Sequence, residues 1–260
     1  MRVEGKVIVV TGAGDGIGRA LARRFHEEGA RAIVVADIDA AKARDVAAAI
    51  GGRAFALDVA DKTAVRAMIE EVEREIGAID LYCSNAGILR LDPSSGTSAD
   101  ASDDDWQASW SVNVMSHVHA ARALLPRMIG RGGGYFLITA SAAGLLSQIG
   151  SAPYSATKHA AVAFAESLAI AHGHQGIKVS ILCPQAVATP MLTGFEKGVA
   201  SVDGILTPDV VAGSVIEGLA AERFLILPHP EVRLYMERKV ADYDRWLGGM
   251  RRLRERLQKA

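Results

Sequence analysis

Residues 6–18 read KVIVVTGAGDGIG. Lys6–Val10 is a β-branched apolar run, the composition of a buried strand. Thr11 follows at once, then Gly12, Ala13, Gly14, Asp15, Gly16, Ile17 and Gly18, and from there Ile17, Leu21 and Phe25 fall on one helical face. Strand, glycine turn and helix form the context in which a glycine motif binds phosphate. Glycines let the backbone approach a pyrophosphate, and the first turn of the helix offers unpaired N–H groups and the positive end of its dipole. A purely structural glycine turn is the alternative, and the flanking patterns favour the phosphate site.

Working outward, Ala32–Ala36 is the next strand and Asp37 ends it, about 19 residues after Gly18, where a carboxylate accepts the ribose hydroxyls of an adenosine. The same carboxylate repels a 2′-phosphate. Asp15 adds a second negative charge, and no Arg or Lys is expected beside Asp37, so the cofactor expected is NAD rather than NADP. A plain N-cap role for Asp37 is the alternative. The alternation then continues with a helix at Ala40–Ile50, a strand at Ala54–Leu57 ending in Asp58-Val59, a helix at Thr63–Ile76 and a strand at Ile79–Cys83. This spacing calls for an α/β fold with a doubly wound parallel sheet, whose ligands bind at the carboxyl ends of the strands. Asp58 and Ser84-Asn85-Ala86-Gly87 lie at such ends, although a cap and a turn would also account for them.

The chain has 260 residues, half of them hydrophobic, and a formal net charge of −1. That balance gives no reason to expect nucleic acid or an anionic membrane as partner. No apolar run reaches the length of a membrane span and no signal peptide is evident, so a cytoplasmic protein is expected. Cys83 and Cys183 each end an apolar run without a Cys or His at ligand spacing, which predicts buried thiols and no metal. The stretch Asp92–Asp105, rich in Ser and Asp, reads as a solvated loop whose end, Ser102–Asp105, caps the next helix. That helix is expected to run unbroken from Trp106 to about Met128, with Asn113 as a buried amide.

Tyr135–Thr139 is another strand, and it delivers Ser141 to the ligand edge. Tyr154 and Lys158 stand four apart on the helix that follows, so they share a face. A phenol titrates near pH ~10, and a fixed ammonium beside it brings that value toward neutrality. Tyr154 is thereby a candidate acid/base, with Ser141 returning to the same spot as a hydrogen-bond donor; a Tyr-x-x-x-Lys spacing that arises by chance on a helix is the alternative. The helix from Tyr154 to about Ala171 is apolar nearly all round, which predicts burial against a second subunit. Val179–Leu182 is the sixth strand, Pro184–Pro190 its following loop, and Phe224–Leu227 the last strand. A lid is expected at about 190–207, and an amphipathic helical tail at about 231–260 with its apolar stripe on the body or on a neighbouring subunit.

Taken in order, T-G-A-G-D-G-I-G at 11–18, N-A-G at 85–87, Asn113, Ser141, Y-S-A-T-K at 154–158 and C-P-Q-A-V-A-T-P at 183–190 resemble the short-chain dehydrogenase/reductases over about Lys6 to Leu227. The resemblance implies one Rossmann-like domain with a seven-stranded sheet of order 3-2-1-4-5-6-7. It implies a pyrophosphate at Gly12, Gly16 and Gly18, the adenosine ribose at Asp37, the adenine at Asp58 and Val59, and Asn85 and Ala86 along the cofactor, with Gly14, Asp15, Ile17, Ile38 and Gly87 as further cofactor-binding residues. Tyr154 would be the general acid/base, Lys158 would hold the nicotinamide ribose and lower the phenol, Ser141 would steady the substrate, and Asn113 would support a relay water. Pro184, Val187 and Thr189 would meet the nicotinamide, while Gln185 replaces the family's usual glycine. Leu145, Gln148, Ile149, Gln185, Met191, Leu192 and Phe195 are expected to shape the substrate pocket. The expected reaction interconverts a secondary alcohol and a ketone with NAD, in a homotetramer or homodimer. An NADP-dependent carbonyl reductase and a non-catalytic NAD-binding scaffold are the alternatives.

Overall fold

A computed structural model describes residues 1–93, 97–194 and 198–259, with the side chains of 257–259 excepted. The first half alternates β1 (Val7–Thr11), α1 (Gly16–Glu27), β2 (Ala32–Asp37), α2 (Ala40–Ile50), β3 (Arg53–Ala56), α3 (Lys62–Glu75) and β4 (Leu81–Ser84). It continues through α4 (Asp103–Trp110), α5 (Ser116–Gly130), β5 (Gly134–Thr139), α6 (Ala152–His172), β6 (Ile177–Leu182), α7 (Pro208–Ala220), β7 (Leu225–Ile226), α8 (Glu231–Ala241) and α9 (Tyr243–Lys259). All seven strands lie parallel in the order β3-β2-β1-β4-β5-β6-β7, as the resemblance implies.

A sheet covered on both faces needs apolar residues on both, and β1 supplies them with four buried apolar residues in a row before the buried Thr11. Val7 and Val9 point into one core with α3, α5 and α6, and Ile8 and Val10 point into the other with α1, α2 and α7. This period of two is the ordinary pleat of a strand. Three consecutive helices on the amino half start at aspartates: Asp15, Asp39 and Asp61 each accept backbone N–H groups at the start of α1, α2 and α3. These caps satisfy donors that the helix cannot use itself. They also settle the alternative for Asp37, because Asp39 caps α2. Cys83 and Cys183 are both buried and unpaired.

Two expected helices are divided. The one expected from Trp106 to Met128 is interrupted by a π-helical turn at Ser111–Met115, where the Ser116 N–H reaches back to Ser111 O. The extra residue is accommodated as a bulge that turns Asn113 inward, a device found often at functional sites. The tail is broken at Asp242, which adopts an extended backbone and accepts the Arg245 N–H at 2.9 Å. In the segment 190–207, single 3-10 turns occupy Pro190–Leu192 and Val199–Ser201. Its two ends are held side by side, with Ala188 N–H donating to Leu206 O at 2.9 Å and Leu206 N–H to Ala186 O at 3.1 Å. On α6, Ala161, Ala165 and Leu168 are buried while Ile170 is 83% exposed, so one side of the helix is covered within this chain. Among the described residues no helix is long and apolar enough to cross a membrane.

Candidate active site

One cavity of about 1030 Å³ runs along the carboxyl edge of the sheet, from Asp37 and Asp58 at one end to α9 at the other. The glycine loop after β1 forms its floor. Gly12 has φ +63°, and a Cβ there would stand 2.8 Å from Ala86 Cα. Gly16 has φ +50°, and a Cβ there would stand 2.9 Å from Thr189 Cγ2. At Gly18 a Cβ would collide with the Gly12 carbonyl and lie 2.6 Å from Asn85 Nδ2. All three positions exclude a side chain for reasons of space, and Gly12 and Gly16 for backbone conformation as well. Gly12, Asp15, Gly16, Ile17 and Gly18 line the cavity, and Gly14 does not, serving instead as the donor to Asp37.

At the far end of this floor, Asp37 Oδ2 accepts the Gly14 N–H at 2.9 Å and Oδ1 accepts the Asp39 N–H at 3.0 Å. Ile38, 74% exposed, also reaches the cavity, together with Asp58 and Val59. The expectation that no cation stands near Asp37 is corrected. Lys42, on the first turn of α2, lines the cavity and bonds Asp15 Oδ2 at 2.9 Å. The Lys42 ammonium holds the Asp15 carboxyl below the usual carboxylate range, and Asp15 raises Lys42 in return.

The wall between floor and centre is tied together by Thr11 and Asn85. Thr11 Oγ1 accepts from the N–H groups of Asn85 (3.0 Å) and Ala86 (3.2 Å). Asn85 Nδ2 donates to Thr11 O at 3.0 Å, and its Oδ1 accepts the Thr139 hydroxyl at 3.0 Å. The amide thus joins the ends of three strands and fixes Asn85, Ala86 and Gly87 in the cavity wall.

At the centre stand Ser141, Tyr154 and Lys158, all lining the cavity. Ser151 starts α6 by accepting the Tyr154 N–H at 3.3 Å, and Pro153 in the first turn pre-sets the helical backbone. Lys158 is 3% exposed; its Nζ donates to Thr139 O at 3.1 Å and lies 5.5 Å from the centre of the Tyr154 ring. Burial brings the ammonium down to about 8. Burial also raises the Tyr154 phenol, and a hydrogen bond with Ser141 offsets part of that rise. The lowering expected from Lys158 is not found in this structure: withdrawal from water acts on both groups and raises the phenol, and the one opposing influence is the Ser141 hydrogen bond. Asn113 is fully buried and does not line the cavity. Its Oδ1 accepts the Ile88 N–H and its Nδ2 donates to Ile88 O, both at 2.9 Å, and Nδ2 also reaches Thr157 Oγ1 at 3.2 Å. The side chain holds the stretch after Gly87 against α6.

The remaining wall carries Pro184, Gln185, Val187 and Thr189, then Gln148, Ile149, Met191 and Leu192. The Gln185 N–H donates to His229 Nδ1 at 3.2 Å, which anchors the residue that departs from the family pattern. Leu145 is corrected: it packs against the core, and its neighbour Leu146 lines the cavity instead. Phe195 lies outside the described residues. Sequence reasoning missed Lys42, Leu146, Tyr235, Trp246, Met250 and Leu253, all of which line the cavity. The apolar stripe of the tail was visible, but nothing in its spacing says which surface receives it.

Residues 6–199 match the short chain dehydrogenase family. A 1-deoxy-11-beta-hydroxypentalenate dehydrogenase of Streptomyces exfoliatus is 35% identical over 250 residues, covering 93% of this chain and 90% of that protein. The meso-2,3-butanediol dehydrogenase of Serratia marcescens is 38% identical over 200 residues, covering 76% and 77%. Among solved structures, a short chain dehydrogenase/reductase from Burkholderia phymatum in complex with NAD superposes with a TM-score of 0.84 at 28% identity, covering 94% of this chain and 96% of that one.

Proposed function

This chain belongs to the short-chain dehydrogenase/reductase family and is an oxidoreductase acting on CH–OH groups; from that premise we propose that it oxidises a secondary alcohol to a ketone, reversibly, with NAD. The observation that carries the reading is the placement of Ser141, Tyr154 and Lys158 midway along a cavity whose other half is the glycine floor.

The residues present fit a dinucleotide. The side-chain-free floor admits a pyrophosphate against the amino end of α1, and Asp37 offers carboxylate oxygens to a ribose. The bound cofactor supplies the hydride acceptor. The chain's own part is to hold the alcohol hydroxyl against Ser141 and the Tyr154 oxygen, which as phenolate takes the hydroxyl proton and becomes the phenol as the carbon gives up hydride. In reduction the phenol returns that proton to the new alkoxide oxygen, and burial, which favours the protonated phenol, suits this direction. Lys158 keeps a cation beside the phenolate as it forms.

Asp37 and Asp15 support NAD over NADP through repulsion of a 2′-phosphate. Lys42 favours the NADP-dependent reading, and its ammonium is engaged by Asp15. We read the chain as one Rossmann-type domain, with 190–207 as a lid and about 231–260 as its tail. We further propose a cytoplasmic homodimer or homotetramer joined through the exposed side of α6, where Ile170 stands out to solvent. Fluorescence titration with NADH and NADPH, followed by absorbance across a panel of secondary alcohols, tests the function. Tighter NADPH binding overturns the cofactor assignment, and cofactor binding without turnover on any alcohol or ketone favours the scaffold reading. Light scattering that finds a monomer overturns the assembly.

A further inference from the structure

We propose that α9 is the far wall of the substrate chamber and selects an uncharged secondary alcohol with a bulky apolar body, and that Lys239 is the positioning residue that holds this wall. The proposal rests on the dehydrogenase reading and adds the substrate class to it.

Trp246, Met250 and Leu253 fall at i, i+4 and i+7 of α9, and all three line the cavity that holds Tyr154 and Ser141. They are half-buried, while Arg245, Arg251 and Arg252 on the other side of the helix are exposed. The basic character of the tail is therefore turned to solvent. Leu146, Met191, Leu192 and Val202 complete the apolar surround. Among the described residues lining the cavity the only cations are Lys42, at the adenosine end, and Lys158, at the catalytic centre. An anionic substrate would find no counter-charge at the α9 end.

Lys239 explains how a terminal helix is held there. It sits in the last turn of α8, 7% exposed, and its Nζ donates to Leu145 O at 2.8 Å and Leu146 O at 2.7 Å. The same ammonium stands 5.4 Å from the Tyr243 ring centre and 5.0 Å from that of Trp246, whose rings are 6.3 Å apart. One buried cation thus joins the loop after Ser141 to the first turn of α9, with carbonyl and aromatic partners replacing its water. Leu146 and Trp246, two of the four residues it joins, are both chamber wall.

The test uses the full chain, saturating NAD and a graded series of secondary alcohols from 2-butanol to 2-decanol and to bicyclic alcohols, with hydroxy acids of matched size. The expected wild-type result is a rise in kcat/KM of about fourfold per added methylene until the chamber is full, with hydroxy acids poorer than the matched alcohols. Trp246→Ala lowers the ratio of bulky to small alcohol at least tenfold, while Leu247→Ala, on the outer face of α9, leaves that ratio as in wild type. Lys239→Met raises KM for the bulky alcohols more than it lowers kcat, and Lys239→Arg, which can still donate to both carbonyls, recovers much of the loss. Binding of the bulky alcohols, read from tryptophan emission in the wild type and calorimetrically in all variants, is followed independently of turnover. Size-dependent binding that Trp246→Ala removes, without hydride transfer, supports the wall and overturns the dehydrogenase reading. Turnover that is indifferent to size, a preference for hydroxy acids, or no binding of any bulky neutral alcohol overturns the wall.

Discussion

Lys158 Nζ lies 5.5 Å from the centre of the Tyr154 ring and spends a hydrogen bond on Thr139 O at 3.1 Å. The ammonium is therefore fixed by β5, with the phenol beside it on the same face of α6. Burial lowers the ammonium to about 8 and raises the phenol, so the two groups share one desolvated site. Alcohol oxidation should accelerate with rising pH on the alkaline side of neutrality, as the phenolate becomes accessible. Lys158→Met should cut kcat/KM at pH 8 by about 10²-fold or more and move this dependence to higher pH, since the phenolate loses its neighbouring cation. A pH–rate profile of both proteins checks it; an unchanged profile in Lys158→Met would remove Lys158 from the chemistry.

Asp37, proposed to set the choice of cofactor, receives the Gly14 and Asp39 N–H groups. Asp37→Ala should weaken NADH by about tenfold or more while narrowing the gap to NADPH, a loss in the range of a hydrogen bond to a charged group. Because Lys42 then has only Asp15 between it and a 2′-phosphate, NADPH should gain in absolute affinity. Dissociation constants for both cofactors decide the matter, and a variant that keeps the wild-type preference would place discrimination elsewhere.

His117 lies 2% exposed beneath the site, with Nδ1 at 2.6 Å from the Ser84 hydroxyl. Burial first, and the Lys158 charge second, depress it to about 3. The folded protein thus binds fewer protons here than the unfolded chain below about pH 6.5. The stability this neutral imidazole contributes is complete above that value and declines as pH falls toward 3. At pH 5 the loss is about 2 kcal/mol relative to pH 7. Denaturant unfolding at both values should show that loss in the wild type, and His117→Gln should remove most of it. Equal pH dependence in the two proteins would contradict the assignment.

The sequence made the cofactor half readable because its signals are local. Glycines at 12, 16 and 18 report backbone conformation and close approach directly, and a strand ending in Asp37 needs no partner to be recognised. Tyr154 and Lys158 were readable for the same reason, being one helical turn apart. What escaped was set by tertiary contacts. The π-helical turn around Asn113 leaves no mark on the apolar spacing of α4 and α5, and the Lys42–Asp15 pair joins residues 27 apart. Leu145 and Leu146 are adjacent leucines that only the turn after Ser141 assigns, one to the core and one to the cavity. The tail showed its amphipathic stripe plainly, yet the break at Asp242 and the Lys239 contacts determine where that stripe goes.

Tyr154 is the proposed acid/base that works beside a bound dinucleotide. The most direct measurement is single-turnover NADH formation from a reactive secondary alcohol by wild type and Tyr154→Phe, with NADH affinity of each determined alongside. Loss of about 10²–10⁴-fold in the rate, with cofactor affinity kept, is the expected result. Wild-type rates in Tyr154→Phe would contradict it.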